Sequence, residues 1–521
     1  MSPGGALLEG PPLAAPIPAV TVAEFIRAQA RRRPQRTALV DAASGRRYRY
    51  GELDALIGRF AAGLAANGFR PGDTLLMFAP NMPEWPVAAL GAIAAGGAVS
   101  GANPAYGAAD LAHQARDCGA RFIFTTPAGL AVAREAAESS GCEHLIVAGA
   151  AQGALGFDAL AACAEPEPAA TADADALAAL PYSSGTTGLS KGVMLSHRTL
   201  VANVCQYMQA VPLAETAVVL AVLPMFHIYG FTVMTLRVLA SGATLVTLPR
   251  FEPAAFLGAI QTHRVTHLNL VPPLMHFLAS HPLVAAHDLS SLQSIGTGAA
   301  PFGAEGERRI AERFKCRVGQ GFGMTESSGV VAATYPDRAR PGSSGQLLPA
   351  TQARVVDPAS GADLGRNASG EIWFRGPQAF KGYLHQPAAT AATLTADGWV
   401  RTGDIGHFDD DGYLYITDRM KELIKVKGFQ VAPAELEALL FTHPAVADVA
   451  VIGRPDARAG EIPVAYVVGR APFEPEQIKD WVAQRVVDYK QLGAVVACEA
   501  IPKTASGKIL RRVLRERDAG R

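Results

Sequence analysis

Near-continuous apolar runs of strand length recur along the chain: Thr74 to Phe78, Phe122 to Thr125, Val218 to Leu223 and Ala243 to Leu248. Between them apolar residues fall at helical spacing, as in Glu52 to Asn67 and Ala254 to His263. Strands without inside–outside alternation are covered on both faces, so this order predicts β-α units with largely parallel sheets. Two charge-free runs, Trp85 to Ala109 and Thr216 to Leu236, are long enough to span a bilayer. Glycines and Asn103-Pro104 break the first, and Pro224 and His227 the second, so both are expected as buried core. Glu165 to Ala176 is acidic, Pro-rich and without periodicity, and reads as a solvated connector. Late in the chain a strand, Tyr413 to Thr417, gives way to a charged segment and a helix starting near Pro433. A domain edge is expected there. The fold class is α/β: a large N-terminal domain, 1–417, of β-sheets covered by helices, and a small α+β domain, 418–521.

At 521 residues the chain is too long for one ordinary core, which fits that division. Lys plus Arg (47) equal Asp plus Glu (47), with no long run of either sign. Nucleic acid and anionic membrane surfaces are therefore not expected partners, and small molecules are. Six cysteines are scattered without a C-x-x-C pair, which disfavours a disulfide framework and a structural zinc site. Met1 to Pro18 lacks a basic start and reads as a loose tail, and the chain ends Ala-Gly-Arg and not Ser-Lys-Leu. A cytoplasmic location is expected.

Five clusters carry the candidate chemistry. In YSSGTTGLSKGVMLSH, residues 182 to 197, Gly185, Thr186, Thr187 and Gly188 offer backbone N–H groups and hydroxyls for phosphate oxygens, and Lys191 adds a mobile charge. A Walker A loop would need glycine at Ser190 and Ser or Thr at Gly192, so this is a different phosphate loop. GTGAAP (296–301) and GQGFGMTES (319–327) let backbone approach a flat ligand, with Phe322 as a ring and Thr325-Glu326 suited to a magnesium–phosphate group. RTGDIG (401–406) presents Asp404 as an acceptor for a ribose hydroxyl pair. TDRMKELIKVKG (417–428) concentrates cations, and in PKTASGKILRR (502–512) a Ser-Gly turn presents Lys508.

The loop resembles the phosphate-binding signature of the acyl-adenylate-forming superfamily, which usually has proline at Ser190, and all five clusters stand in that family's order and spacing. PMFHIYG, GFGMTE, KELIKVKGFQVAPAELE and PKTASGKILRR are most similar to the 4-coumarate–CoA ligase branch. The resemblance implies an acid–thiol ligase: a carboxylate attacks the α-phosphate of magnesium–ATP to give acyl-AMP and pyrophosphate, and coenzyme A then displaces AMP.

By the same resemblance, Ser183, Ser184, Gly185, Thr186, Thr187, Gly188 and Lys191 would cradle phosphates, with Glu326 on magnesium. Ala299, Gln320, Gly321 and Thr325 would line the adenine and α-phosphate site, and Asp404 and Arg419 would take the ribose, with Gln430 near the AMP. Lys508 would neutralise charge in the adenylation transition state. A swing of the C-terminal domain about Asp418 would then withdraw Lys508 and bring in Lys421 and Lys425, with Lys427, Gly428 and Arg250 along the coenzyme A path. His227 would lie by the acyl and pantetheine path, and Tyr229, Gly296, Phe322 and Ala333 would shape the acyl pocket. Gly296 and Gly329 replace the larger residues usual in plant 4-coumarate ligases and suggest a roomier pocket, admitting fatty acids as the alternative substrate class. A luciferase-type oxidoreductase would share the same adenylate. No acid lies between Thr216 and Leu236 to pair a substrate ammonium, which disfavours amino acids. His197, His263 and His267 are assigned to packing.

Overall fold

The structure, a computed structural model, describes residues 7–169, 173–183, 190–427, 429–456, 458–504 and 507–519. Among these residues the N-terminal part builds three large sheets, of nine, seven and six strands, and a two-stranded hairpin. The nine-stranded sheet has a parallel centre: Thr37–Asp41, Thr244–Thr247, Val218–Ala221, His267–Leu270, Ser294–Thr297 and Arg317–Phe322 lie side by side in that order. The seven-stranded sheet is centred on Thr74–Phe78, which is buried at every position and parallel to Ala98–Gly101 and Ala120–Thr125. These strands are the apolar runs of the sequence, and helices Tyr50–Ala66 and Pro253–Thr262 lie within a few residues of the spans expected for them.

Both charge-free runs are core, except that 103–109 at the end of the first lies half-buried or exposed. The first forms the wholly buried helix Glu84–Ala94 and the strand Ala98–Gly101. The second forms the strand Val218–Ala221 and then a π-helix, Tyr229–Leu236, continued as an α-helix over Arg237–Ala240. Among the described residues no helix is long and apolar enough to cross a membrane. The π-helix starts in a tight turn, where a Cβ on Gly230 would lie 2.0 Å from the Pro224 carbonyl oxygen. Only glycine fits that approach.

The six-stranded sheet is antiparallel and ends in the strand Leu414–Arg419. Beyond it a five-stranded sheet with helices Pro433–Leu440, Pro475–Ala483 and Arg511–Ala519 encloses a separate apolar cluster that includes Ile424, Val449, Val467 and Leu492. The larger cluster runs from Leu8 to Leu414. Between the clusters Asp418 is buried, its carboxylate accepting from the Arg419 and Ala434 backbone N–H groups at 2.7 and 2.9 Å. Burial raises its pKa, against the field of Arg511.

Candidate active site

A cavity of about 1040 Å³ runs along one face of three parallel strands, His267–Leu270, Ser294–Thr297 and Arg317–Phe322. Register pairs His267, Ser294 and Arg317 at one end of the strands. At the other end the chain leaves through Gly298-Ala299 and through the turn Thr325–Ser327, which also line the cavity. Ala299 sits at φ +71°, a left-handed conformation that aims the loop at the cavity and is sparsely populated outside glycine. Gly323 is required for another reason: a Cβ there would lie 1.9 Å from the Gly329 carbonyl oxygen.

Charge gathers at the carboxyl end of the strands, where ligands of open α/β sheets usually lie. Glu326 is buried, and its Oε1 accepts from the Tyr383 hydroxyl at 2.7 Å and from Ser183 Oγ at 3.5 Å. Lys191 faces the same tyrosine, its Nζ 5.0 Å from the ring centroid. Ser183 and Lys191 pair across a short hairpin that forms the stem of the glycine-rich loop. Ser184, Gly185, Thr186, Thr187 and Gly188 lie outside the described residues, as does Gly428. Asp404 and Arg419 are cross-strand partners joined at 3.2 Å, with Asp404 buried behind the guanidinium. Burial raises the Asp404 pKa, while Arg419 and Lys508 oppose the rise.

Lys508 enters from the segment between the strand Ala494–Ala497 and the helix Arg511–Ala519. A turn in which its N–H donates to Thr504 Oγ1 at 3.0 Å and its carbonyl accepts from the Thr504 N–H at 2.8 Å sets it on the cavity wall. Enclosure by protein, together with the nearby Arg419 charge, lowers its pKa to about 8 in spite of Asp404 and Glu326. His227 also faces the cavity; burial, with a contribution from Lys508, lowers its pKa to about 3 and keeps the ring neutral. Its Nδ1 accepts from the Tyr229 N–H at 3.2 Å, which leaves Nε2 as the other polar atom of the ring.

The remaining expected residues divide. Tyr229, Gly296, Ala299, Gln320, Gly321, Phe322, Thr325, Ala333 and Lys421 line the cavity. Gln320 does so through its backbone, because its side chain turns away to bond Phe302 N–H (2.8 Å), Phe302 C=O (2.7 Å) and Glu307. Burial raises the pKa of Glu307 to about 7. Lys425, Lys427, Gln430 and Arg250 are exposed and do not line the cavity in this arrangement of the chain. Gly329 lines it, but at φ +139° and with Asn203 Oδ1 2.8 Å from where a Cβ would stand. Its backbone, held by Asn203 bonds to both polar groups of Val330, accounts for that glycine without any need to widen a pocket. A Cβ on Gly296 would meet Asn269 Oδ1 at 3.2 Å and the Leu268 carbonyl oxygen at 3.8 Å, so this glycine does add width.

Cavity residues that escaped the sequence reading include Tyr383, Arg237 and His267. His267 was assigned to packing but reaches the cavity, whereas His197 is buried against the Val22 N–H at 3.3 Å. Arg237 left one trace in the sequence, a cation closing a long charge-free run.

Comparison with known proteins gives two family matches, to the AMP-binding enzyme model over residues 26–384 and to the AMP-binding enzyme C-terminal domain over 435–508. Among similar proteins, 4-coumarate–CoA ligase 3 of Oryza sativa subsp. japonica is 41% identical over 96% of this chain and 92% of its own. 4-Coumarate–CoA ligase 5 of the same plant is 43% identical over 93% and 92%. Among solved structures, the anthranilate CoA ligase AuaEII in complex with anthranoyl-AMP superposes with a TM-score of 0.89 at 25% identity, over 96% of this chain and 98% of that one. ATP-bound MatB from Rhodopseudomonas palustris gives 0.86 at 30%, over 96% and 99%.

Proposed function

The chain belongs to the AMP-binding enzyme family, and from that premise we propose that it joins 4-coumarate or a closely related aryl acid to coenzyme A. It is an AMP-forming acid–CoA ligase that uses ATP, magnesium and coenzyme A. The aryl assignment rests on the near full-length similarity to 4-coumarate–CoA ligases.

The observation that carries the mechanism is the meeting of Lys508, Arg419 and Glu326 at one end of a single cavity, with Asp404 buried behind Arg419. In the first half-reaction a carboxylate oxygen of the acid bonds to the α-phosphorus of ATP, and the bond to pyrophosphate breaks. The nucleophile is already ionised, so the protein's work is positioning and charge placement. Lys191 and the Ser183 to Gly188 loop hold the phosphates, Arg419 and Asp404 the ribose, and the 298–299 and 320–325 backbones the adenine side. Lys508 donates to oxygens that gain charge as the leaving group departs. A single carboxylate, Glu326, with substrate phosphates supplying further oxygens, suits magnesium. That ion, when bound, offsets charge on the phosphates.

In the second half-reaction the coenzyme A thiol gives up its proton to solvent, its sulfur bonds to the acyl carbon, and AMP leaves with the electron pair of the broken C–O bond. The exposed Lys425, Lys427, Gln430 and Arg250 take part here, after residues 418–521 turn about Asp418 and carry Lys508 out of the cavity. His227, neutral beside the acyl path, accepts a hydrogen bond and does not supply charge.

The test is AMP release by the purified protein with ATP and coenzyme A, across cinnamates, benzoates and medium- and long-chain fatty acids. Cinnamate-dependent AMP with a matching thioester is expected. Turnover confined to fatty acids would replace the aryl reading, and AMP without thioester would point to another acceptor.

A further inference from the structure

The amino end of the three cavity strands is as unusual as the carboxyl end. Arg237 lines it while being only 4% exposed. Its Nη2 donates to the Val211 carbonyl at 2.6 Å, and its guanidinium stacks 4.2 Å over the Tyr207 ring. Its Nε is buried with no hydrogen-bond partner, and among the described residues no carboxylate pairs with it. A buried cation without a counter-ion is costly, and proteins rarely keep one except where a ligand completes it.

The surroundings add a second cation, Arg317, and no anion, while burial keeps the neighbouring His267 neutral. His267 lies within the field of Arg237, and Arg317 lines the same end. Tyr229, whose hydroxyl donates to the Leu270 carbonyl at 3.4 Å, stands between this end and His227. The carboxylates on the cavity wall, Glu326 and Glu371, belong to the other end. Glu371 is bound there by the Gly403 N–H at 2.9 Å. Lys508 and Arg237 share no electrostatic neighbour: the first faces Asp404, Glu326, Arg419 and His227, the second Tyr207, Tyr229 and His267. The four residues from His267 to Leu270 separate the ends by about 10 Å, at roughly 3.3 Å per strand residue.

We propose that Arg237 is a specificity residue that receives an acceptor oxygen, a phenol hydroxyl or a second carboxylate, at the end of the acyl substrate remote from the reacting carboxylate. The proposal rests on the ligase reading above and deepens it. A plain hydrocarbon tail would leave the cavity-facing side of the guanidinium desolvated and without an acceptor, whereas a substrate oxygen on that side supplies one. The planar fork suits a carboxylate in two-point contact, and a phenol oxygen in one-point contact.

The experiment compares kcat/KM for cinnamate, 4-coumarate, 4-carboxycinnamate and octanoate in the wild type, Arg237→Met and Arg237→Lys. The wild type should prefer the two oxygen-tailed acids over cinnamate by about tenfold or more, as expected for a hydrogen bond to a charged group. Arg237→Met should bring that ratio close to one, and Arg237→Lys should restore part of it. A higher value for 4-carboxycinnamate than for 4-coumarate identifies the carboxylate as the preferred partner, and the reverse identifies the phenol. The readout is a ratio, so partial misfolding does not imitate it, and the wild-type ratio stands even if the variants do not fold. Equal wild-type use of cinnamate or octanoate and the oxygen-tailed acids would overturn the proposal while leaving the ligase reading intact. A uniform loss in Arg237→Met would reduce the residue to packing. No turnover of any aryl acid would sink the reading beneath it as well.

Discussion

Two cations decide most of what a single residue can say about this enzyme, and they are held differently. Lys508 has carboxylates near it and is lowered to about 8, so it titrates in an accessible range. Arg237 has none and stays charged even though burial lowers its pKa. Replacing Lys508 with alanine should slow adenylation by about two orders of magnitude or more, a usual loss for a transition-state charge partner. Thioester formation from supplied acyl-AMP should survive, and an equal fall in both steps would refute that division of labour. The pH profile carries the same assignment. Lys508 must be protonated to act, so kcat/KM for ATP should fall as pH rises through about 8, the value in the free enzyme. Bound polyphosphate favours the ammonium, so the corresponding limb in kcat should lie higher. In Lys508→Arg the alkaline limb should vanish, at reduced rate, because a guanidinium does not deprotonate there.

Elements were legible where burial makes the pattern simple. The central strands read directly because both their faces are covered, as Thr74–Phe78 illustrates. The π-helix Tyr229–Leu236 was not legible, since an all-apolar run has no periodicity to read. Its widened turn is closed by Thr235 Oγ1 donating to the Gly230 carbonyl at 2.9 Å, and it places Tyr229 and Arg237 on the same cavity. π-turns occur often at functional sites, and here that matters because the turn lines the cavity proposed to hold the acyl substrate. Gly230→Ala should therefore cost more than an ordinary surface change, about 1–3 kcal/mol or more, since a methyl cannot share space with the Pro224 carbonyl. Thermal melting checks the stability, and a KM for the acid that rises more than the KM for ATP would locate the damage at the pocket. Motif residues such as Glu326 and Asp404 were legible by type and spacing. Tyr383 and Arg237 were not, because their importance comes from what the fold brings beside them. Gln320 shows the reverse: a residue legible as a cavity position whose side chain serves the Phe302 and Glu307 network instead.

At the scale of the whole molecule the question is what holds residues 418–521 with Lys508 inserted. Beyond the cavity, the His276 ring stacks on Phe441 with centroids 3.9 Å apart, and Arg470 reaches Ser280 Oγ at 3.4 Å. His276 belongs to the helix Pro272–Ser280 of the N-terminal part, so the stack spans the two apolar clusters. Burial, reinforced by Lys503, Arg470 and Arg309, lowers the His276 pKa from 6.5 to about 4. The sign follows directly. If the C-terminal part turns away, the ring regains water and its ordinary affinity for a proton, so acid favours departure. The stack holds fully above about pH 6.5, and its preference is lost progressively as pH falls toward 4. In the proposed mechanism adenylation takes place with Lys508 inserted and thioester formation with it withdrawn, so the ratio of the first half-reaction's rate to the second's should fall as pH drops from 6.5 to 5. His276→Phe keeps an aromatic stack that cannot protonate and should flatten that slope, while Phe441→Ala should lower adenylation more than thioester formation at every pH. Single-turnover rates for each half-reaction give the ratio, and a slope unchanged in His276→Phe would mean that another group sets the balance.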